Sequence, residues 1–173
     1  TTDTEVIIHL MAHQAHKPPL EALIDALRRL DGAYSLAVLL KDRLVAARDP
    51  WGFRPLVLGR RGDVTYIASE SCALDIVGAE LIRDVEPGEI IVVDERGVRS
   101  LRIPVEPTRR CSCAFEYVYF ARPDSIIDGR SVYAVRKELG RLLAKRSPCP
   151  EASLVTGMPD SGTLAAMGYA EES

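Results

Sequence analysis

Near its C-terminal end the chain carries Gly157-Met158-Pro159-Asp160-Ser161-Gly162-Thr163, followed by the small helix-forming residues Leu164 to Ala170. A turn of this composition at a helix start suits an anion. Gly162 lets a backbone approach closely, and the first N–H groups of a helix lack partners within it and can face a ligand. Ser161 and Thr163 add hydroxyls that can hydrogen-bond phosphate or reach a hydrated Mg²⁺. The same residues also describe an ordinary cap, with Asp160 or Ser161 accepting from the first helical amides. The Lys and the glycine spacing of a Walker A loop are absent. At the other end, Thr1-Thr2-Asp3-Thr4-Glu5 puts a carboxylate where a helix begins. There it can grip an ammonium group or simply complement the helix dipole. His9, His13 and His16 follow at near-helical spacing; without a supporting carboxylate or Cys they read as a solvated helix edge. Cys72 lies among small and apolar residues with no base beside it, the setting of an inert buried thiol. Cys111 and Cys113 form a Cys-x-Cys pair.

Thr2 and Glu5 have capping-box spacing, which predicts a helix from about Thr2, with Ile7, Leu10 and Met11 on one face. Pro18-Pro19 breaks it. A second helix runs from Leu20 with the stripe Leu20, Leu23, Ile24, Leu27 and Leu30, ending at Asp31-Gly32. From Ala33 the period shortens. Tyr34 to Leu40, Leu44 to Ala47, Leu56 to Leu58 and Val64 to Ala68 read as strands, apolar on both faces and so buried between layers. Arg48-Asp49-Pro50-Trp51-Gly52-Phe53-Arg54-Pro55 is a rigid connection held by its Arg and Asp. A short helix capped by Ser69 or Ser71 follows, then a turn over residues 84–89 and a hairpin pairing Ile90 to Val93 with Val98. Pro104, Pro107 and the charges up to Arg110 read as a linker, which puts a boundary near residue 108. The apolar stretch from Phe115 to Phe120 ends in the polar turn Arg122-Pro123-Asp124-Ser125 and is expected to be buried at a domain junction. Ser131 caps a helix to about Arg146, with Val132, Val135, Leu139, Leu142 and Leu143 along its inner face. Ala152 to Thr156 reads as a short strand leading into the final turn.

Composition narrows the classes. With 27% charged and 47% hydrophobic residues the chain is an ordinary globular sequence. A net charge of −3 offers no general attraction to nucleic acid or anionic membrane. No apolar run approaches membrane-spanning length. Four scattered cysteines are too sparse for a secreted disulfide scaffold, which indicates the reducing cytoplasm.

The stretch Cys113-Ala114-Phe115-Glu116-Tyr117-Val118-Tyr119-Phe120-Ala121-Arg122-Pro123-Asp124-Ser125 closely resembles the interdomain junction of the amidophosphoribosyltransferases. These glutamine phosphoribosyl-pyrophosphate amidotransferases make phosphoribosylamine at the first committed step of purine synthesis. Thr2-Asp3-Thr4-Glu5 is similar to the Ser/Thr-Asp-Thr/Ser-Glu motif of class II glutamine amidotransferases. Arg48 to Leu56, Arg83 to Glu89 and Pro159-Asp160-Ser161 match further family segments. The resemblance runs almost the whole length and implies an internal segment of a longer enzyme. It implies an α+β part followed by an α/β part: residues 1–108 from a class II glutaminase domain with the αββα N-terminal-nucleophile hydrolase fold, and residues 109–173 as the junction and the start of a phosphoribosyltransferase-type domain.

By that resemblance Asp3 holds the α-amino group of glutamine, while Asp160, Ser161, Gly162 and Thr163 form the pyrophosphate loop, with Ser161 associated with Mg²⁺. Cys113 matches the first ligand of a [4Fe–4S] cluster carried by some members. A cluster needs four thiolates, so the chain by itself is expected to hold none. The family's nucleophile is an N-terminal Cys, absent here, and Thr1, just before a helix cap, is a poor substitute. No catalytic residue is therefore expected within the chain, and the isolated chain is expected to be inactive. The implied partners are glutamine, phosphoribosyl pyrophosphate and purine nucleotides as feedback inhibitors, in a homo-oligomer (a tetramer) when full length, with neither nucleic acid nor membrane. Two alternatives stand beside this: another class II glutamine amidotransferase, or a non-catalytic nucleotide-binding regulator on the phosphoribosyltransferase fold.

Overall fold

The computed structural model describes residues 2–105 and 110–173. Thr1 and the expected boundary near 108 lie outside them. Two helices come first, α1 (Glu5–Ala12) and α2 (Pro19–Leu27). Pro19 opens α2 because its fixed φ suits the first helical position, where the missing N–H costs nothing. The strands β1 (Ser35–Leu40), β2 (Arg43–Arg48), β3 (Val57–Arg61) and β4 (Val64–Ala68) follow, then the short helix α3 (Ser71–Ile76) and the strands β5 (Glu80–Asp84), β6 (Glu89–Asp94) and β7 (Gly97–Arg102). One turn of π-helix covers Glu116–Phe120. A small hairpin, β8 (Ile126–Ile127) and β9 (Arg130–Ser131), leads into α4 (Val132–Arg146), and α5 (Gly162–Glu172) comes last.

These elements divide into two compact units that interleave along the chain, Thr1–Leu58 with Val85–Ser112, and Gly59–Asp84 with Cys113–Ser173. The expectation was a single boundary near 108. In the first unit, β1, β2, β6 and β7 form an antiparallel sheet in that order. Val45, Ala47, Ile90 and Val92 share one face and pack on Ile7, Leu23, Ala26 and Leu27 of the helices. Ala46 and Ile91 point the other way and are also buried. The central strands are thus buried on both faces, which is why they read as unbroken apolar runs. Burying Leu23 or Leu27 stabilises the unit by about 2 kcal/mol each relative to exposure. On the edge strand β1, Leu36, Val38 and Leu40 lean on this core while Leu39 points outward.

In the second unit Leu74 of α3 lies over Gly59, where a Cβ would fall 2.6 Å from the leucine Cδ2, so any larger residue there would push the buried leucine aside. Asp128 and Gly129, with φ of 47° and 73°, make the left-handed two-residue turn that a tight hairpin demands. Ser131 caps α4 as expected, its hydroxyl accepting from the Ala134 N–H at 3.3 Å. Helices α4 and α5 cross with their backbones in contact. A Cβ on Gly140 would lie 1.9 Å from the Ala165 carbonyl oxygen, and one on Gly168 equally close to that of Lys137. Lys137 and Arg141 bridge to Glu171 at 2.6 and 2.7 Å, and the Tyr169 hydroxyl donates to the Ser147 carbonyl.

Several expectations are corrected. Strand β5 falls in a stretch without a clear alternating pattern. Residues 152–156 form no strand, and Leu154 is 81% exposed; a strand needs a neighbouring ladder for its N–H and C=O groups, and none lies beside this segment among the described residues. The expected inner face of α4 holds at Val132, and half at Val135, but not at its leucines. Val132, Arg136, Gly140 and Ala144 are buried, while Leu139, Leu142 and Leu143 are exposed. Phe115, Val118, Tyr119 and Phe120 are likewise exposed in place of forming a buried junction.

Candidate functional site

At the start of α1 the expected capping box does not form. Thr4, the residue before the helix, makes no side-chain cap, and the Glu5 N–H donates to the Thr2 carbonyl at 3.1 Å. Asp3 supplies the local order instead, its Oδ1 accepting from the Thr4 N–H at 3.0 Å. Its side chain is exposed at the helix entrance. Beside it runs a groove of about 750 Å³ lined by Thr2, Thr4, Ile8, Met11, Val38 and Leu39. His9, His13 and His16 form an exposed edge, with one difference: Glu5 Oε1 lies 3.6 Å from His9 Nε2, one helical turn away.

The turn after β2 carries two buried charges. The Asp49 carboxylate accepts from the N–H groups of Trp51, Gly52, Phe53 and Arg54 at 2.7 to 3.2 Å. Arg48 donates to the carbonyls of Arg54, Val85 and Gly52 at 2.8, 2.7 and 3.0 Å. Both residues are essentially inaccessible, Arg48 at 1% and Asp49 at 0%. They satisfy backbone groups that would otherwise be buried without partners, which is a structural task. Tyr34, just before β1, accepts the Asp49 N–H at its carbonyl at 2.9 Å, and its hydroxyl is pushed upward in pKa, mainly by burial and then by the nearby Asp49 charge.

The turn before α5 is open by contrast. Asp160 and Thr163 are exposed and Ser161 half-buried. Ser161 precedes the helix with φ −65° and ψ −31° and its hydroxyl makes no cap. The N–H groups of Gly162 and Thr163 donate within the turn, to the carbonyls of Met158 at 3.0 Å and Asp160 at 3.3 Å. An anion here would therefore meet the hydroxyls of Ser161 and Thr163 before those amides. The sterically required glycine is Gly157: a Cβ on it would lie 2.5 Å from the Gly162 carbonyl oxygen, whereas one on Gly162 has ordinary contacts from 3.7 Å. Hydroxyl and carboxylate oxygens suit a hydrated Mg²⁺ that keeps most of its own ligands, so this donor set fits that ion.

Cys113 is partly buried and its carbonyl accepts the Glu116 N–H at 3.1 Å, opening the π-helical turn. Among the described residues no group of three or more Cys, His, Asp or Glu could hold a metal. Cys113 does not by itself fit a [4Fe–4S] cluster, which needs four thiolates.

A cluster that the sequence did not signal lies around Glu70. Its Oε2 accepts from the Arg122 N–H at 2.8 Å and the Ser125 hydroxyl at 2.7 Å. Ser71 does not cap α3; its hydroxyl oxygen accepts from the Ile126 N–H at 2.8 Å. Arg136, 3% exposed, donates to the carbonyls of Tyr117, within the π-helical turn, and Ala121, just after it. Burial pulls the Arg136 pKa down from its ordinary value while the Glu70 charge opposes this. The only trace in sequence was Ser-Glu-Ser at a helix start, which reads equally well as a cap.

The glutamine amidotransferase domain family matches residues 1–75. Over 171 residues the chain is 51% identical to the chloroplastic amidophosphoribosyltransferase of Glycine max, covering 98% of this chain and 30% of that one. It is 52% identical over 174 residues to the amidophosphoribosyltransferase of Mycobacterium tuberculosis, covering 100% and 32% respectively. The chain thus spans about a third of the length of these relatives. Among solved structures, the glutamine phosphoribosylpyrophosphate amidotransferase of B. subtilis in complex with ADP and GMP superposes with a TM-score of 0.94 at 44% identity, over 99% of this chain and 37% of that one. A structure of the allosteric regulatory enzyme of purine biosynthesis superposes with a TM-score of 0.93, also at 44% identity, over 99% and 36%. The antiparallel sheet of the first unit, with its two helices, is accordingly part of the N-terminal-nucleophile hydrolase fold of a glutaminase domain.

Proposed function

We propose that this chain is a segment of an amidophosphoribosyltransferase, holding one substrate-binding group for each of two coupled reactions. In the first, water hydrolyses the side-chain amide of glutamine to glutamate and ammonia. In the second, ammonia attacks the ribosyl C1 of phosphoribosyl pyrophosphate: the C–N bond forms as the C–O bond to pyrophosphate breaks, and the nitrogen gives up a proton. The nucleophile of the first reaction belongs to a residue outside this chain. Asp3 would orient glutamine by pairing with its α-ammonium, a charge-assisted contact that fixes the amide for attack. Ser161 and Thr163 would hydrogen-bond the departing pyrophosphate, and Asp160 and Ser161 would hold the hydration shell of Mg²⁺. When bound, the ion neutralises charge building on the leaving group.

Supporting this reading is one observation: the two positions where the resemblance puts ligands, Asp3 and the turn 160–163, both stand open at the start of a helix. Purine nucleotides would act as feedback ligands, as the ADP and GMP bound to the B. subtilis neighbour suggest. Among the described residues no helix is long and apolar enough to cross a membrane. The decisive assay follows glutamine-dependent pyrophosphate release from phosphoribosyl pyrophosphate by the full-length protein. Asp3→Asn should raise KM for glutamine at least tenfold and leave ammonia-dependent release intact. Release that does not depend on glutamine or ammonia would refute the reading.

A further inference from the structure

We propose that Glu70 is a positioning residue that couples glutamine hydrolysis to phosphoribosyl transfer by clamping the turn Arg122–Ser125. The inference rests on the functional reading above and deepens it. Glu70 falls within the residues matched by the glutamine amidotransferase domain. Its partners Arg122 and Ser125 lie 52 and 55 residues further along the chain, and Ser71 adds the third bond, to Ile126. A single carboxylate oxygen takes two of these bonds, and charge makes each roughly twice as strong as a neutral one.

What the clamp holds is the base of a continuous support. Within the turn, the Ser125 N–H donates to the Arg122 carbonyl at 3.1 Å, and Arg122 and Asp124 lock together through a two-bond fork. The turn's carbonyls then receive the start of α4, with the N–H groups of Val132 and Tyr133 donating to Ser125 and Pro123, both at 3.0 Å. Helix α4 meets α5 backbone to backbone at Gly140 and Gly168, and α5 begins at the turn 160–163. Hydrogen bonds and close packing therefore run unbroken from Glu70 to the proposed pyrophosphate loop, the kind of contiguous path along which a displacement is passed on. Ser125 is 1% exposed, so no water can substitute for the Glu70 oxygen without rearrangement.

The test uses the full-length enzyme with Glu70→Ala, Glu70→Gln and Ser71→Ala, and three measurements: glutamate formed, pyrophosphate released with glutamine, and pyrophosphate released with ammonia. Glu70→Ala should lower glutamine-dependent pyrophosphate release at least tenfold while the other two rates stay within twofold, so that several glutamates form per pyrophosphate. Glu70→Gln, which keeps an acceptor oxygen without the charge, should fall between it and wild type. Hydrogen exchange at the Arg122 and Ile126 amides should speed up at least tenfold in Glu70→Ala and Ser71→Ala, respectively. All three rates falling in proportion, or a ratio of glutamate to pyrophosphate unchanged from wild type, would mean that Glu70 only holds the fold, and the coupling role would be lost. Unchanged exchange would remove the clamp itself. A wild-type enzyme with neither activity would instead overturn the functional reading, and this inference with it.

Discussion

Residues 48–54 and residues 157–163 are both turns rich in glycine, proline and aspartate, and they treat their aspartates in opposite ways. Asp49 is sealed from solvent with four backbone N–H groups on its carboxylate. Asp160 is exposed, and its backbone carbonyl, not its carboxylate, takes part in closing the turn. In the first turn charge is used up inside the protein to fix a strand connection. In the second the backbone closes on itself and leaves side-chain oxygens facing outward. Polar residues alone do not mark a binding turn; what matters is whether the backbone has already claimed them.

The sharpest way to break this contrast is Asp49→Ala. It strands several buried amides and should destabilise the protein by about 3 kcal/mol or more, read as a lower denaturation midpoint. A loss under about 1 kcal/mol would mean that the buried turn tolerates water. Next comes the pair Gly157→Ala and Gly162→Ala. The first drives a methyl against the backbone and should cost about 1–3 kcal/mol. The second has room and should stay within about 0.5–1 kcal/mol, the helix propensity of Ala favouring it. Equal effects would erase the distinction between the two glycines.

A smaller effect concerns the helix that carries the open turn. Lys137 first and then Arg141 hold the Glu171 carboxyl below its ordinary pKa of 4.5. A depressed folded pKa means that the stabilisation is complete above about 4.5 and is lost as pH falls through the lowered value. Thermal midpoints measured down to about pH 3 should therefore decline less steeply in Glu171→Gln than in wild type. Smallest of all, Ser161→Ala should leave stability within about 0.5 kcal/mol, since the hydroxyl makes no cap, yet weaken pyrophosphate retention in the presence of Mg²⁺.

How much was legible in the sequence follows a physical divide. Elements fixed by local rules came through: the second helix directly after the Pro18-Pro19 break, the buried strands β2 and β6, the Ser131 cap. What failed depended on neighbours. The leucine stripe of α4 shows that a face is suited to burial but not which helix will cover it, and here two glycines decide the crossing, leaving Leu139, Leu142 and Leu143 outside. Residues 152–156 have strand composition but no ladder among the described residues. Glu70 stayed invisible because its partners are more than fifty residues away and one of them is a backbone N–H, which carries no residue-type signal.

The crossing of α4 and α5 has a mechanical consequence. Ordinary helix pairs are separated by a layer of side chains whose rotamers can absorb a small slide. At Gly140 and Gly168 that cushion is missing, and carbonyls rest directly on Cα atoms. The two rods, 15 and 11 residues long, must tilt together or part altogether, so they behave as one stiff lever with the open turn 160–163 at its tip.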